Sequence, residues 1–133
     1  MSLVLAPIID GKLEKWQQWA KDLQNGRANE FKEFNSRYGL TRHLAWLAET
    51  PTGPVVAALH EGTGADNFMS KLATSDHDFD VWFKQKLNEF HNIDFSKPLP
   101  GSPPKLLINA VKLVVSCVYR SKAGGSFMAT PLL

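Results

Sequence analysis

The chain of 133 residues is poor in most of the features that announce a chemistry. Its single cysteine, Cys117, excludes an internal disulfide framework and any cysteine-based zinc cluster. Charge of one sign is not in excess: Lys and Arg number 15, Asp and Glu 13, for a net charge of +2. Basic residues form no run interleaved with aromatics, and helix-turn-helix and zinc-finger spacings are absent, so no nucleic acid is expected as a partner. The most apolar stretch, Leu106 to Val118, contains Lys112 and is shorter than the ~20 residues of a membrane span. No membrane is therefore expected. Residues 1–9 lack the basic start and small-residue cleavage site of a signal peptide, and the expected compartment is the cytoplasm. Phosphate-loop, dinucleotide and H-E-x-x-H signatures are missing as well, and neither a metal nor a cofactor is expected.

What the chain does have is 44% hydrophobic and 11% aromatic residues, enough for one core without staples. The organisation expected is a domain over 1–109, with 110–133 as an additional strand or a loose, glycine-containing tail. Leu3 to Ile9 is a short apolar run that reads as a strand, with Pro7 at its end. From Lys12 the period changes: Leu13, Trp16, Ala20 and Leu23 make a helical stripe, with Asp10 a candidate N-cap. Phe31, Phe34 and Tyr38 continue it past Asn25-Gly26 to a stop at Gly39, which makes 12–38 one bent helix or two. Leu40 to Glu49 and Val55 to Glu61 flank the turn sequence Thr50-Pro51-Thr52-Gly53-Pro54 and read as a hairpin. Ala65 to Ala73 and a segment after Ser75-Asp76 read as helices, the second buried through Phe79, Val81, Trp82, Phe83, Leu87 and Phe90. Four prolines at 98, 100, 103 and 104 make a stiff connector, and a last strand is expected over Lys105 to Asn109. Alternation from Val111 to Tyr119 fits a fifth strand, with a helix as the alternative.

The order β-α(α)-β-β-α(α)-β matches an α+β fold of the ferredoxin-like, split βαβ kind, an antiparallel sheet with helices on one face. The first and third strands are apolar on both sides, and helices cover only one. A second copy of the sheet is the expected cover, giving a homodimer. Hiding about 400 Å² of apolar surface per subunit contributes about 10 kcal/mol gross at 25 cal/mol per Å². Leu40-Thr41-Arg42 before Trp46, the Glu49-Thr50-Pro51 turn, Asp78-Phe79-Asp80-x-Trp82-Phe83 and His91-x-x-Asp94 followed by prolines carry a resemblance. Over roughly residues 2–109 the chain resembles the dimeric α/β-barrel superfamily, near a bacterial family of unassigned activity. That superfamily holds monooxygenase-like, haem-degrading, isomerase-like and stress-responsive proteins, so the resemblance implies a fold and a dimer but carries no catalytic residue across.

Candidate site residues come from strand pairing. With Thr50 closing against Pro54, Trp46 faces Ala58, Leu44 faces His60 and His43 faces Glu61. His60 then lies beside Leu44 and diagonal to Trp46, either as a structural histidine or as an acid or base lining a pocket. Arg42 shares that face and supplies a guanidinium for a carboxylate, with Arg27 a second anion-binding candidate. His60 and Arg42 are the catalytic pair, and Trp46, Leu44 and Ala58 the ligand-binding residues. A one-residue change of register reverses these faces. His91 reads as a helix-end cap with Asp94, His77 as a solvated N-terminal residue, and Gly62-Thr63-Gly64 as a weak anion loop. The function expected is a homodimeric small-molecule-binding or structural protein with an apolar cavity in or beside the sheet. The alternative is a cofactor-independent, monooxygenase-like or isomerase- or cyclase-like enzyme acting on a small aromatic or apolar substrate.

Overall fold

Two sequence periods, alternation and the three-four stripe, divide the chain into strands and helices in the order expected as far as residue 91. A computed structural model describes residues 1–99 and 101–110 and the backbone of 117–120 and 126–129. β1 (Ser2–Pro7) leads to α1 (Leu13–Gln24) and α2 (Ala28–Arg37). The hairpin β2 (Arg42–Thr50) and β3 (Gly53–Glu61) follows, then α3 (Phe68–Thr74) and α4 (Asp78–His91). β4 (Cys117–Arg120) and β5 (Ser126–Ala129) pair with each other as a separate antiparallel ribbon. The main sheet is antiparallel in the order β1-β3-β2, and the architecture is α+β.

The stretch 12–38 is two helices. They part at Asn25-Gly26-Arg27, where the Gln24 and Asn25 side-chain amides donate to the carbonyls of Ala20 and Lys21 and close the end of α1. Gly39, at φ +65°, ends α2 as anticipated. Asp10 does not cap α1, whose N-cap is Lys12 without a side-chain bond. α4 starts two residues after the expected Ser75-Asp76: His77 is its N-cap, accepting at Nδ1 from the Phe79 N–H. Val81, expected in the buried stripe, faces outward.

The helices cover one face of the sheet. Phe34, Phe68, Leu72, Phe83 and Phe90 fill that side with Trp16, Trp19 and Val56. Rings of α2 and α4 meet at Phe34 and Phe83, 4.8 Å between centroids. On the other face, Leu3, Leu5 and Pro7 of β1, Val55, Ala57 and Leu59 of β3, and Leu44, Trp46 and Ala48 of β2 lie in register. Leu5 is 56% and Trp46 52% exposed there.

The strand expected over Lys105 to Asn109 does not form. That segment has no ladder partner among the described residues, and Leu107 and Ile108 are each 81% exposed. A segment apolar on both sides gains from extension only when both sides are covered. Of the alternation from Val111, residues 111–116 lie outside the described residues and Cys117–Arg120 is a strand. Part of the expected loose tail is a strand as well, Ser126–Ala129. No helix among the described residues is long and apolar enough to cross a membrane.

Candidate functional site

Register decides the site. The hairpin closes with Thr50 opposite Gly53 across the two-residue loop Pro51-Thr52, one residue tighter than the pairing with Pro54 expected from sequence. Gly53 takes φ +120°, which side chains avoid, and the Thr50 hydroxyl donates to its carbonyl at 2.7 Å. The shift of one residue turns His60 over. It now stands opposite His43 on β2 and Ser2 on β1, in one row across the helix-covered face.

These residues form a hydrogen-bonded chain. Ser2 Oγ lies 3.1 Å from His60 Nδ1, His60 Nε2 lies 3.2 Å from His43 Nε2, and His43 Nδ1 lies 2.9 Å from Asn35 Oδ1 of α2. With Asn35 Oδ1 accepting, His43 carries its hydrogen on Nδ1. His60 then donates from Nε2 to His43, and Ser2 donates to His60 Nδ1. All four ring nitrogens are occupied and both rings are neutral. Phe31 and Phe68 lie against the pair, at 5.0 Å from His43 and 4.7 Å from His60. Burial, and for His43 the neighbouring His60, push the two imidazoles down to about 3 for His43 and about 4 for His60.

The pair borders a cavity of about 310 Å³ between sheet and helices. Trp16, Trp19, Phe31, Phe68, Phe83 and Met69 give it an aromatic, apolar wall. Its polar lining is His43, His60, His91 and Gln24; no Asp, Glu, Lys or Arg side chain among the described residues borders it. His91 does not pair with Asp94. Its Nδ1 donates to the Pro7 carbonyl at 2.9 Å, tying the end of α4 to β1, while Asp94 accepts from the N–H and hydroxyl of Ser96.

The residues nominated from sequence therefore divide. His60, only 2% exposed, and Ala58 line the cavity, and Leu44 borders it. Arg42 and Trp46 belong to the opposite face, where Arg42 meets Glu61 at 3.4 Å, so the His60–Arg42 pair does not converge. Arg27 is engaged too: its guanidinium lies 3.9 Å over the Trp82 ring and 3.3 Å from Glu30. Gly62 and Gly64 are glycines for packing, since a Cβ on either would collide with the carbonyls of Gly39 and Tyr38 in the turn before β2. His43 and Asn35 were missed, and a two-residue hairpin loop was the signal that finds His43.

A second buried polar cluster, also missed, sits at the junction of the helices. The carboxylate of Asp80, 0% exposed, accepts two bonds from Arg37, at 2.7 and 3.0 Å. It accepts two more from the hydroxyls of Tyr38 (2.5 Å) and Ser75 (2.6 Å). Burial alone would raise its pKa, but the bonds from Arg37, Ser75 and Tyr38 outweigh it and hold Asp80 down to about 2. Burial and the same carboxylate push Tyr38 up to about 12. Three of these donors meet Oδ2 and one meets Oδ1, all from the protein itself, which makes this cluster a tie between α2, α3 and α4. Among the described residues no three His, Cys, Asp or Glu side chains group around a point where a metal ion would fit. Comparison with known proteins finds no matching family model, no similar curated protein and no similar solved structure.

Proposed function

We propose that the protein binds a small apolar or aromatic molecule between its sheet and helices. The observation that carries this reading is the 310 Å³ cavity, walled by aromatic rings and bordered by a buried, fully hydrogen-bonded histidine pair. Its size is at the lower end of small-molecule sites, and a few fixed polar groups in an apolar wall are what such sites use for orientation. Calorimetric titration with naphthalene tests the reading. Saturable binding that Met69→Trp abolishes without lowering the melting temperature supports it. Absence of binding up to the solubility limit removes it.

In this proposal the protein works as a homodimer of ferredoxin-like subunits. Support comes from the strand order and from the face of Leu3, Leu5, Leu44, Trp46 and Leu59, which no helix among the described residues covers. Sedimentation equilibrium should give a dimer that Trp46→Arg converts to a monomer. A monodisperse wild-type monomer at high concentration ends the dimeric reading.

A second reading, a cofactor-independent isomerase-like enzyme, is favoured by one feature: Ser2, His60 and His43 are hydrogen-bonded in series and can pass a proton between them, with Asn35 fixing the outer ring. Exchange of the α-hydrogens of 2-tetralone in D₂O, accelerated by the protein and lost in His60→Gln, is its test. No acceleration over buffer excludes it for this ketone class.

A further inference from the structure

The central strand carries a gap in the packing beneath the helices. On its helix-covered side Val56 is 5% and His60 2% exposed, yet Ala58 between them stays partly open to the cavity. Resting on the binding reading above, we infer that the ligand is a flat, uncharged ring system. It lies on the strand row Val4–Ala58–Ala45, and Ala58 and Ala45 determine specificity by leaving the depth it fills.

Shape follows from the register. Val4 of β1, Ala58 of β3 and Ala45 of β2 stand directly opposite one another. The row on one side is Ser2, His60 and His43, and the row on the other is Ala6, Val56 and Leu47. All three rows contribute to the lining. Strand geometry, ~3.3 Å per residue and ~4.8 Å between strands, makes this floor about 13 Å long and about 10 Å wide. Spread over it, the volume of about 310 Å³ is about 2–3 Å deep, close to one layer of carbon atoms. The depth comes from the two alanines, which present methyl groups where the flanking rows present imidazoles and a valine. The rings of Trp16, Trp19 and Phe83 line the helix side. A globular skeleton is too thick for such a slot, and a single alkyl chain leaves most of its width without contacts.

Charge follows from the lining. No Asp, Glu, Lys or Arg side chain among the described residues borders the space. The three imidazoles that do are all shifted by burial toward the neutral form. A carboxylate, phosphate or ammonium entering there loses its water and meets no counter-charge. The histidine row adds little polarity of its own. All four ring nitrogens of His43 and His60 are taken by each other, Ser2 and Asn35, whichever way the protons point along the chain. The rings therefore meet a ligand as one more aromatic edge. Ala45 and Gln24, both exposed, mark the mouth, and a polar substituent is tolerated there rather than over the floor.

Three alcohols of similar hydrophobicity and different shape separate the possibilities: 2-naphthol, 1-adamantanol and 1-heptanol, with 2-naphthoate as the charged plate. Each is titrated calorimetrically into the full chain. The expected result is that 2-naphthol binds at least tenfold more tightly than the globular and the linear alcohol, and that the naphthoate does not bind. Ala58→Leu places a side chain in the slot and should lower the naphthol affinity at least tenfold without lowering the melting temperature. Should that variant not fold, Ala45→Val at the exposed edge of the floor should lower the affinity by a smaller factor. A folded variant of either kind with unchanged naphthol affinity removes the two alanines as the floor of the site. Adamantanol or heptanol binding as tightly as the naphthol, or the naphthoate binding at all, overturns the flat, uncharged ligand and leaves the binding reading standing. Failure of 2-naphthol and naphthalene alike overturns both.

Discussion

The protein buries two polar clusters, and they are built on opposite principles. At the helix junction a charged carboxylate, Asp80, is surrounded by four donor bonds from Arg37, Tyr38 and Ser75. Under the sheet, His43 and His60 are neutral, joined end to end, and next to empty space. The first cluster turns four donors onto one carboxylate and holds helices together. The second is held rigidly at its outer nitrogens while its rings border a cavity. A buried charge is tolerated where donors surround it, whereas a neutral polar group can border a cavity without a counter-charge. Polarity alone does not make a candidate site; polarity beside a cavity does.

Removing the charged centre should have the largest effect. Asp80→Ala leaves the Arg37 guanidinium and the Tyr38 and Ser75 hydroxyls facing a hole. The expected cost is about 3–5 kcal/mol of unfolding free energy, the range for breaking one side of a buried ion pair. Urea denaturation measures it. Asp80→Asn keeps the shape and loses the charge, and should cost less. Equal losses for the two variants would show that shape, not charge, is what the cluster contributes.

Acid separates the two clusters along the pH axis. The histidines titrate near 6.5 when unfolded, and near 4 for His60 and 3 for His43 when folded. The unfolded chain therefore binds more protons below pH 6.5. Stability is full above that pH and falls as pH drops toward the folded values, by up to about 1.4 kcal/mol per pH unit for each histidine. Asp80 acts lower down: its contribution is present above its unfolded value of 3.8 and is lost as pH falls through about 2. Urea midpoints between pH 7 and 4 should show the first slope. His60→Gln should flatten it without moving the limb below pH 4. A slope unchanged in that variant would mean that His60 is not held neutral in the folded protein.

The two clusters also differ in how far the sequence discloses them. Spacings of three and four place α1, α2 and α4, and Gly39 marks a helix end, because these depend on neighbours in the chain. Hairpin pairing is nearly as local, yet its register rests on one glycine dihedral: Gly53 at φ +120° lets Thr50 close one residue earlier. That single slip separates His60 from Leu44 and Trp46 and joins it to His43. Arg37 and Asp80 are 43 residues apart, and no periodicity links them. The acidic residues Asp78 and Asp80 read equally well as helix-dipole partners, and only packing shows that one of them is buried. Lys105 to Asn109 fails for another reason, since apolar composition favours a strand but only a paired edge makes one.

The smallest expected effect tests how far the histidine chain depends on its outer end. Ser2→Ala removes the hydroxyl that donates to His60 Nδ1 and adds no bulk. A neutral hydrogen bond of this kind contributes about 0.5–1.5 kcal/mol, so urea denaturation at pH 7 should show a loss near 1 kcal/mol. Ser2 and Asp80 share no hydrogen-bond partner, and Ser2→Ala should add to Asp80→Asn within about 0.5 kcal/mol. The imidazole nitrogen resonances give a second readout. Both rings should remain neutral tautomers in the variant, because burial rather than Ser2 sets their charge, and His60 Nδ1 alone should lose its hydrogen-bond shift. A loss as large as that of Asp80→Ala, or a strong departure from additivity, would mean that the neutral chain supports the fold as firmly as the ionic one. Its place beside the cavity would then no longer distinguish the two.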